Sequence, residues 1–360
     1  NATSFTTADG QTVDMVVPNL FIIHRGTGAE YSRDPSIIWS HKWDLLSAGY
    51  YGYYYQTGAE PPLDSLAYTV MDGVALNTYN IVPEVGQDIS GYYVPGGRQP
   101  SPPYVGVFAH EFGHVLGLPD LYDYGYDSEG VGIYSLMAGG SYGRTIQDRY
   151  YSGNSPSHME GWGKYYLGFA DFTDITPSDR QSIVLRPVEQ YPDIYRVHIP
   201  GSNGTEYFVL ENRQQQGFDK GLAYTYARPA DGPNVHGLAV YQVDENVLIR
   251  NFWRPNEAQS WDLNKRGANT KNRETGETHY GISVLQADGR FELEKAATDG
   301  DAGDLFPGAG NKVVLLSSAK SAPNTLSWVQ WHPGTQYTGI ELQNIVEHED
   351  GTVTLDVVYQ

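Results

Sequence analysis

The stretch that decides the reading is His110-Glu111-Phe112-Gly113-His114-Val115-Leu116-Gly117-Leu118-Pro119-Asp120. It closes a helix-like segment over residues 104–116 that Pro102-Pro103 introduces. At positions i and i+4 of a helix two imidazoles lie on one face, about one turn apart, and that bite holds a single zinc ion. Glu111 stands beside them, where a carboxylate takes a proton from water in metal-assisted hydrolysis. Gly117 can adopt positive φ and end the helix abruptly. Pro119 stiffens the turn that follows, and the turn can carry Asp120 back as a third ligand. Asp123 is the rival for that place; its other reading is a capping or supporting carboxylate.

Outward from this motif, residues 15–23 read as a buried strand ending in His24-Arg25 and a Gly26/Gly28 turn. Residues 66–71 and 79–82 read as further strands, and residues 37–48 as a helix with Ser36 at its N-cap. A second helix is expected over 157–167. Beyond about residue 170 the pattern changes to short β-branched and apolar runs, at 183–188, 195–199, 207–210, 238–243, 282–285, 313–316, 339–345 and 352–358. Turn signals separate them, as in a sandwich. The expected fold class is α+β: a peptidase domain over 1–170, then a β-rich, sandwich-like domain over 171–360.

With 23 Lys and Arg against 43 Asp and Glu, the net charge is −20. A chain this acidic lacks the basic footprint that phosphate recognition needs, so no nucleic-acid partner is expected. No cysteine is present, which removes thiol catalysis, thiolate ligands and disulfides. Metal chemistry must then rest on histidine and carboxylate. No stretch approaches the roughly 20 apolar residues of a membrane span. Asn1 in place of an initiator Met, with no signal-like segment after it, is what a processed mature enzyme or a trimmed chain would show.

The run HEFGHVLGLPDLYD, residues 110–123, resembles the active-site signature of the immune inhibitor A family of secreted bacterial zinc metallopeptidases, relatives of the metzincin clan. Supporting segments are FIIHRGTGAE (21–30), IWSHKW (38–43), LMAGGSY (136–142), YFVLENR (207–213), GLAVYQVDE (237–245), QADG (286–289) and DAGDLFPG (301–308). The resemblance implies zinc bound by His110, His114 and Asp120, with Glu111 as catalytic base and Met137 in a Met-turn beneath the metal. Metzincins also present a tyrosine near that turn to stabilise the oxyanion, for which Tyr134 and Tyr142 are the candidates.

Asp299, Asp301 and Asp304, interleaved with Gly300 and Gly303, offer oxygen ligands at a spacing suited to calcium, and Asp127 with Glu129 forms a weaker pair. The resemblance makes a structural calcium part of the expectation. His41, within IWSHKW, is either a cleft residue or a structural histidine, the second being favoured. Together these readings describe a secreted zinc endopeptidase acting on proteins or peptides, its oligomeric state left open. Two alternatives stand beside it: a binding protein with a structural zinc site, and a peptidase whose β-rich domain targets glycans or surfaces.

Overall fold

The computed structural model describes residues 4–6, 10–32, 34–61, 69–86, 102–147, 151–177, 180–224, 234–257 and 276–360. Contacts gather the chain into two units, residues 1–116 and 117–360. In the first, strand β1 (Leu20–Thr27) lies parallel to β3 (Thr78–Val85), and β2 (His41–Asp44) pairs with β3 antiparallel from its other side. The strand expected over 15–23 breaks at Pro18-Asn19, because proline has no N–H to give a ladder. Met15–Val17 joins a separate small sheet with Val74–Leu76 and Thr69–Met71. Nor is this stretch buried, since Ile23 is 62% exposed. Residues 66–68 of the next expected strand, and most of the Gly/Pro-rich stretch before the motif, lie outside the described residues.

The helix expected over 37–48 is displaced. Residues 41–44 are spent on β2, and helix α1 (Leu45–Thr57) starts behind Asp44, whose Oδ1 accepts the N–H of Ser47 at 2.7 Å. Ser36 is occupied elsewhere: its N–H and its hydroxyl both donate to Asp34 Oδ1, at 2.9 and 2.7 Å. The motif helix α2 (Val105–Leu116) forms as expected. Phe21 of β1 stacks on Phe108 and Phe112, with ring centroids 6.0 and 6.2 Å apart. From β3, the fully buried Asn80 donates its Nδ2 to the backbone carbonyl of Glu111 at 2.7 Å, fixing the helix to the sheet at the proposed base.

In the second unit, helix α3 (Gly161–Tyr166) begins later than expected, because Glu160 serves as its cap and accepts from Gly163 N at 2.8 Å. A five-stranded sheet runs in the order β9 (Ile282–Val284), β8 (Gly237–Asp244), β7 (Glu206–Arg213), β6 (Ile194–His198), β4 (Thr173–Ile175). A three-stranded sheet has β11 (Val353–Tyr359) between β5 (Arg180–Leu185) and β10 (Ile340–Glu347). Seven of the eight expected runs are strands; 313–316 makes only two isolated bridges, Leu315 to Leu342 and Leu316 to Asn324. Phe208, Leu210, Leu238 and Val240 of the larger sheet share one apolar core with Ile183, Leu185, Leu342 and Leu355 of the smaller.

Both central strands β7 and β8 are buried along their whole length, so residues of the opposite parity are covered as well. There the buried groups include polar ones, among them Glu211, Arg213 and the Tyr241 hydroxyl. Arg213, wholly buried, donates Nε to Asp219 Oδ2 at 2.6 Å, and its NH1 donates to Glu211 Oε1 at 2.9 Å and to the Tyr134 carbonyl at 2.7 Å. Its NH2 reaches the His158 carbonyl at 3.2 Å, while Lys164 Nζ bonds Glu211 Oε2 at 2.9 Å. Burial alone would raise the Glu211 carboxyl, yet Lys164 and Arg213 hold it below its ordinary range. Replacing Arg213 by Met strands the buried Asp219 and leaves Glu211 with the charge of Lys164 alone, and should cost about 3–5 kcal/mol. Thermal melts check this; a melting temperature equal to the parent's would contradict it.

Candidate active site

Helix α2 brings His110 and His114 onto one face, with ring centroids 4.8 Å apart and planes at 86°. His110 and Glu111 are buried, at 9% and 5% exposure, while His114 is partly open. The helix stops at Leu116, and Gly117 takes φ 107°, which an L side chain rarely adopts. Beyond the turn, one ligand atom from each of His110, His114 and Asp120 lies within 4.8 Å of the other two. All three belong to one continuous run of eleven residues, so helix pitch and the Gly117 turn set their spacing. Two imidazole nitrogens and a carboxylate oxygen, with no thiolate, are a donor set that could hold a metal ion and that suits zinc.

Asp123 does something else. Its Oδ1 accepts from Gly125 N at 2.8 Å, and its Oδ2 from Asp127 N and Ser128 N at 3.1 and 3.0 Å, bracing the loop that follows the motif. Burial, the hydrogen bond with Asp127 and the charge of Glu257 push its carboxyl up to about 7. Tyr124 donates its hydroxyl to Asp120 Oδ2 in a short bond. Burial first, then the charge of Asp120, raises that phenol above its ordinary range. Met137 packs in the core at 1% exposure, and its carbonyl accepts the N–H of Leu121 at 2.8 Å, one residue past Asp120.

Tyr134 is wholly buried and donates to Asp304 Oδ2 at 2.8 Å, so its hydroxyl is committed to the protein interior and does not serve an oxyanion. Tyr142 ends the short turn Gly139–Tyr142 and is half-buried. His41 is satisfied locally, by the Trp39 carbonyl at 2.7 Å and the Tyr79 hydroxyl at 3.3 Å.

Of the calcium candidates, Asp301 groups with Asp288 and Glu292, ligand atoms within 4.8 Å of one another, whereas Asp299 and Asp304 are not in that group. Asp304 takes bonds from Tyr134 and from Asp301 N, the latter at 2.9 Å. Asp299 lies near Glu129, whose carboxyl is raised by burial and by that neighbouring charge. Asp127 sits beside Asp123.

Sequence reasoning missed Asn80, Tyr124 and Arg213. Arg213 carried a usable signal, as a charge closing an apolar run in YFVLENR. Asn80 and Tyr124 carried none, since their roles arise from partners that no local pattern specifies.

Comparison with known proteins bears out the resemblance. Residues 6–170 match the family model for the immune inhibitor A peptidase M6 catalytic domain. The chain is 31% identical over 162 residues to pre-pro-metalloprotease PrtV of Vibrio cholerae serotype O1 (strain M66-2), an alignment covering 43% of this chain and 14% of that one. It is 32% identical over 156 residues to immune inhibitor A of Bacillus thuringiensis subsp. alesti, covering 42% of this chain and 19% of the relative. The chain thus spans less than a fifth of either relative. The match covers less than half of this chain and is to a metallopeptidase catalytic domain; among the described residues no helix is long and apolar enough to cross a membrane.

Gly117→Ala forces a side chain into the left-handed region and should cost about 1–3 kcal/mol. Because the same turn carries Asp120, zinc content per chain should fall with the melting temperature. Parent-like values of both would contradict the role given to the turn.

Proposed function

We propose, from the membership of residues 6–170 in the immune inhibitor A peptidase M6 catalytic-domain family, that the chain is a secreted zinc-dependent endopeptidase. The observation that carries the reading is the convergence of His110, His114 and Asp120 next to the buried Glu111. These three residues would hold the metal. When bound there, zinc supplies Lewis-acid chemistry, acidifying water and polarising a scissile carbonyl.

Glu111 accepts the proton of the attacking water and hands it to the leaving amine. Asn80 steadies the base by holding its backbone carbonyl. The edge strand β2 offers main-chain groups along which an extended peptide can be bound, which suits loops and unfolded proteins as substrates. Residues 1–170 are then the catalytic domain, and residues 171–360 a β-rich scaffold. The bonds from Arg213 to the Tyr134 and His158 carbonyls support a scaffold role, because they tie catalytic-domain chain to strand β7. The name of the Vibrio cholerae relative, pre-pro-metalloprotease, supports export.

A structural calcium fits the Asp288, Glu292 and Asp301 group better than the three aspartates of the sequence reading, because three carboxylate oxygens converge there, where it would compete with Arg290, whose guanidinium pairs with Asp288 and Glu292. Dialysis against a calcium chelator, with zinc resupplied, should lower the melting temperature; an unchanged melt removes the calcium.

Glu111→Ala should retain about one zinc per chain, as the parent does. Its hydrolysis of casein or a quenched peptide should fall by roughly 10²–10⁴-fold or more. Parent-like cleavage by the variant would sink Glu111 as the base, and absence of zinc from both proteins would sink the whole reading.

A further inference from the structure

Asp120 sits on a loop, and a carboxylate on a loop is free to turn unless something fixes it. Tyr124 does so by donating to Oδ2. The Tyr124 ring is itself held: the guanidinium of Arg254 lies over it, 4.7 Å from the centroid. Its backbone N–H donates to Glu257 Oε2 at 2.9 Å, and the next N–H, of Gly125, donates to Glu257 Oε1 at 3.1 Å. Between Arg254 and Glu257, the fully buried Asn256 donates Nδ2 to the Leu121 carbonyl and to the Ile282 carbonyl, both at 2.9 Å. It also accepts from Ile282 N at 3.1 Å, which roots the arrangement on strand β9.

Residues 254–257 therefore grip the loop at Leu121, Tyr124 and Gly125, just beyond the carboxylate. Their distance along the chain, more than 130 residues, means that the grip exists only in the folded protein. A neutral phenol is well suited to this place. It orients the carboxylate through one oxygen without cancelling its charge, as an arginine or lysine partner would, and so preserves its strength as a metal ligand.

We infer that Tyr124 is a positioning residue for Asp120 as a metal ligand, and that Arg254, Asn256 and Glu257 form the clamp that keeps it in place. This rests on the zinc site proposed above. It adds a requirement to that site: metal affinity depends on a four-residue segment far downstream of the motif.

The test uses the full chain. Tyr124→Phe removes one oxygen and keeps the ring, and zinc affinity is measured by competition with a chromophoric chelator. The expected result is a dissociation constant raised roughly 10- to 100-fold, a changed visible spectrum of the cobalt-substituted protein, and a zinc-free melting temperature close to the parent's. Parent-like zinc affinity with a parent-like cobalt spectrum overturns the inference, whatever the melt does. Arg254→Met, which keeps the hydroxyl and removes the platform over the ring, should weaken zinc in the same direction but less, and unchanged affinity in that variant overturns the clamp. His114→Ala, measured in parallel, separates the two levels. If it binds zinc as the parent does, the zinc site itself is wrong; if it loses zinc while Tyr124→Phe does not, only the positioning role falls.

Discussion

A guanidinium with no exposed surface is tolerated only when every donor finds an acceptor and its charge is matched. Arg213 meets that condition by drawing Glu211, Asp219, the Tyr241 hydroxyl and the carbonyls of Tyr134 and His158 around itself. The consequence runs along the chain. Fixing Tyr134 fixes the turn that leads to Met137, and the Met137 carbonyl takes the N–H of Leu121, the neighbour of Asp120. A buried cation on a β-strand thus bears on a carboxylate of the candidate metal site through two backbone steps. Asn80 plays the corresponding part for the helix, at the carbonyl of Glu111.

Much of this was legible locally. The spacing of His110 and His114, the helix that carries them and the positive φ of Gly117 follow from helix pitch and glycine sterics, and the structure has them as the sequence implies. The strands beyond residue 170 were legible too, because short β-branched runs between turns leave few other readings. Local competition was harder to judge. Asp44 and Ser36 are both able caps, and the contest was decided by residues 41–44 pairing with Thr78–Ile81, which no window of sequence contains. Likewise residues 313–316 have strand chemistry but make only isolated bridges, to Leu342 and Asn324.

Long-range groupings were the least legible of all. Asp123 and Asp120 look alike in the sequence. They part company because one accepts three backbone N–H groups of its own loop, while the other turns toward the two imidazoles. Asp301 was expected to join Asp299 and Asp304, its close neighbours in the chain. Instead it meets Asp288 and Glu292, because Asp304 is taken by Tyr134 and Asp299 lies toward Glu129. Proximity in sequence is a poor guide to which carboxylates converge when turns send alternate side chains apart.

Among the described residues two groupings of opposite character result: two imidazoles with one carboxylate, and three carboxylates. The first suits zinc and the second a hard, oxygen-seeking cation. The central claim is that zinc occupies the first. The most direct measurement is diffraction from crystals of the zinc-loaded protein on both sides of the zinc absorption edge. The account predicts one anomalous peak, about 2.0–2.2 Å from a ring nitrogen of His110, a ring nitrogen of His114 and a carboxylate oxygen of Asp120. A peak among Asp288, Glu292 and Asp301 alone, or none near His110 and His114, would contradict it.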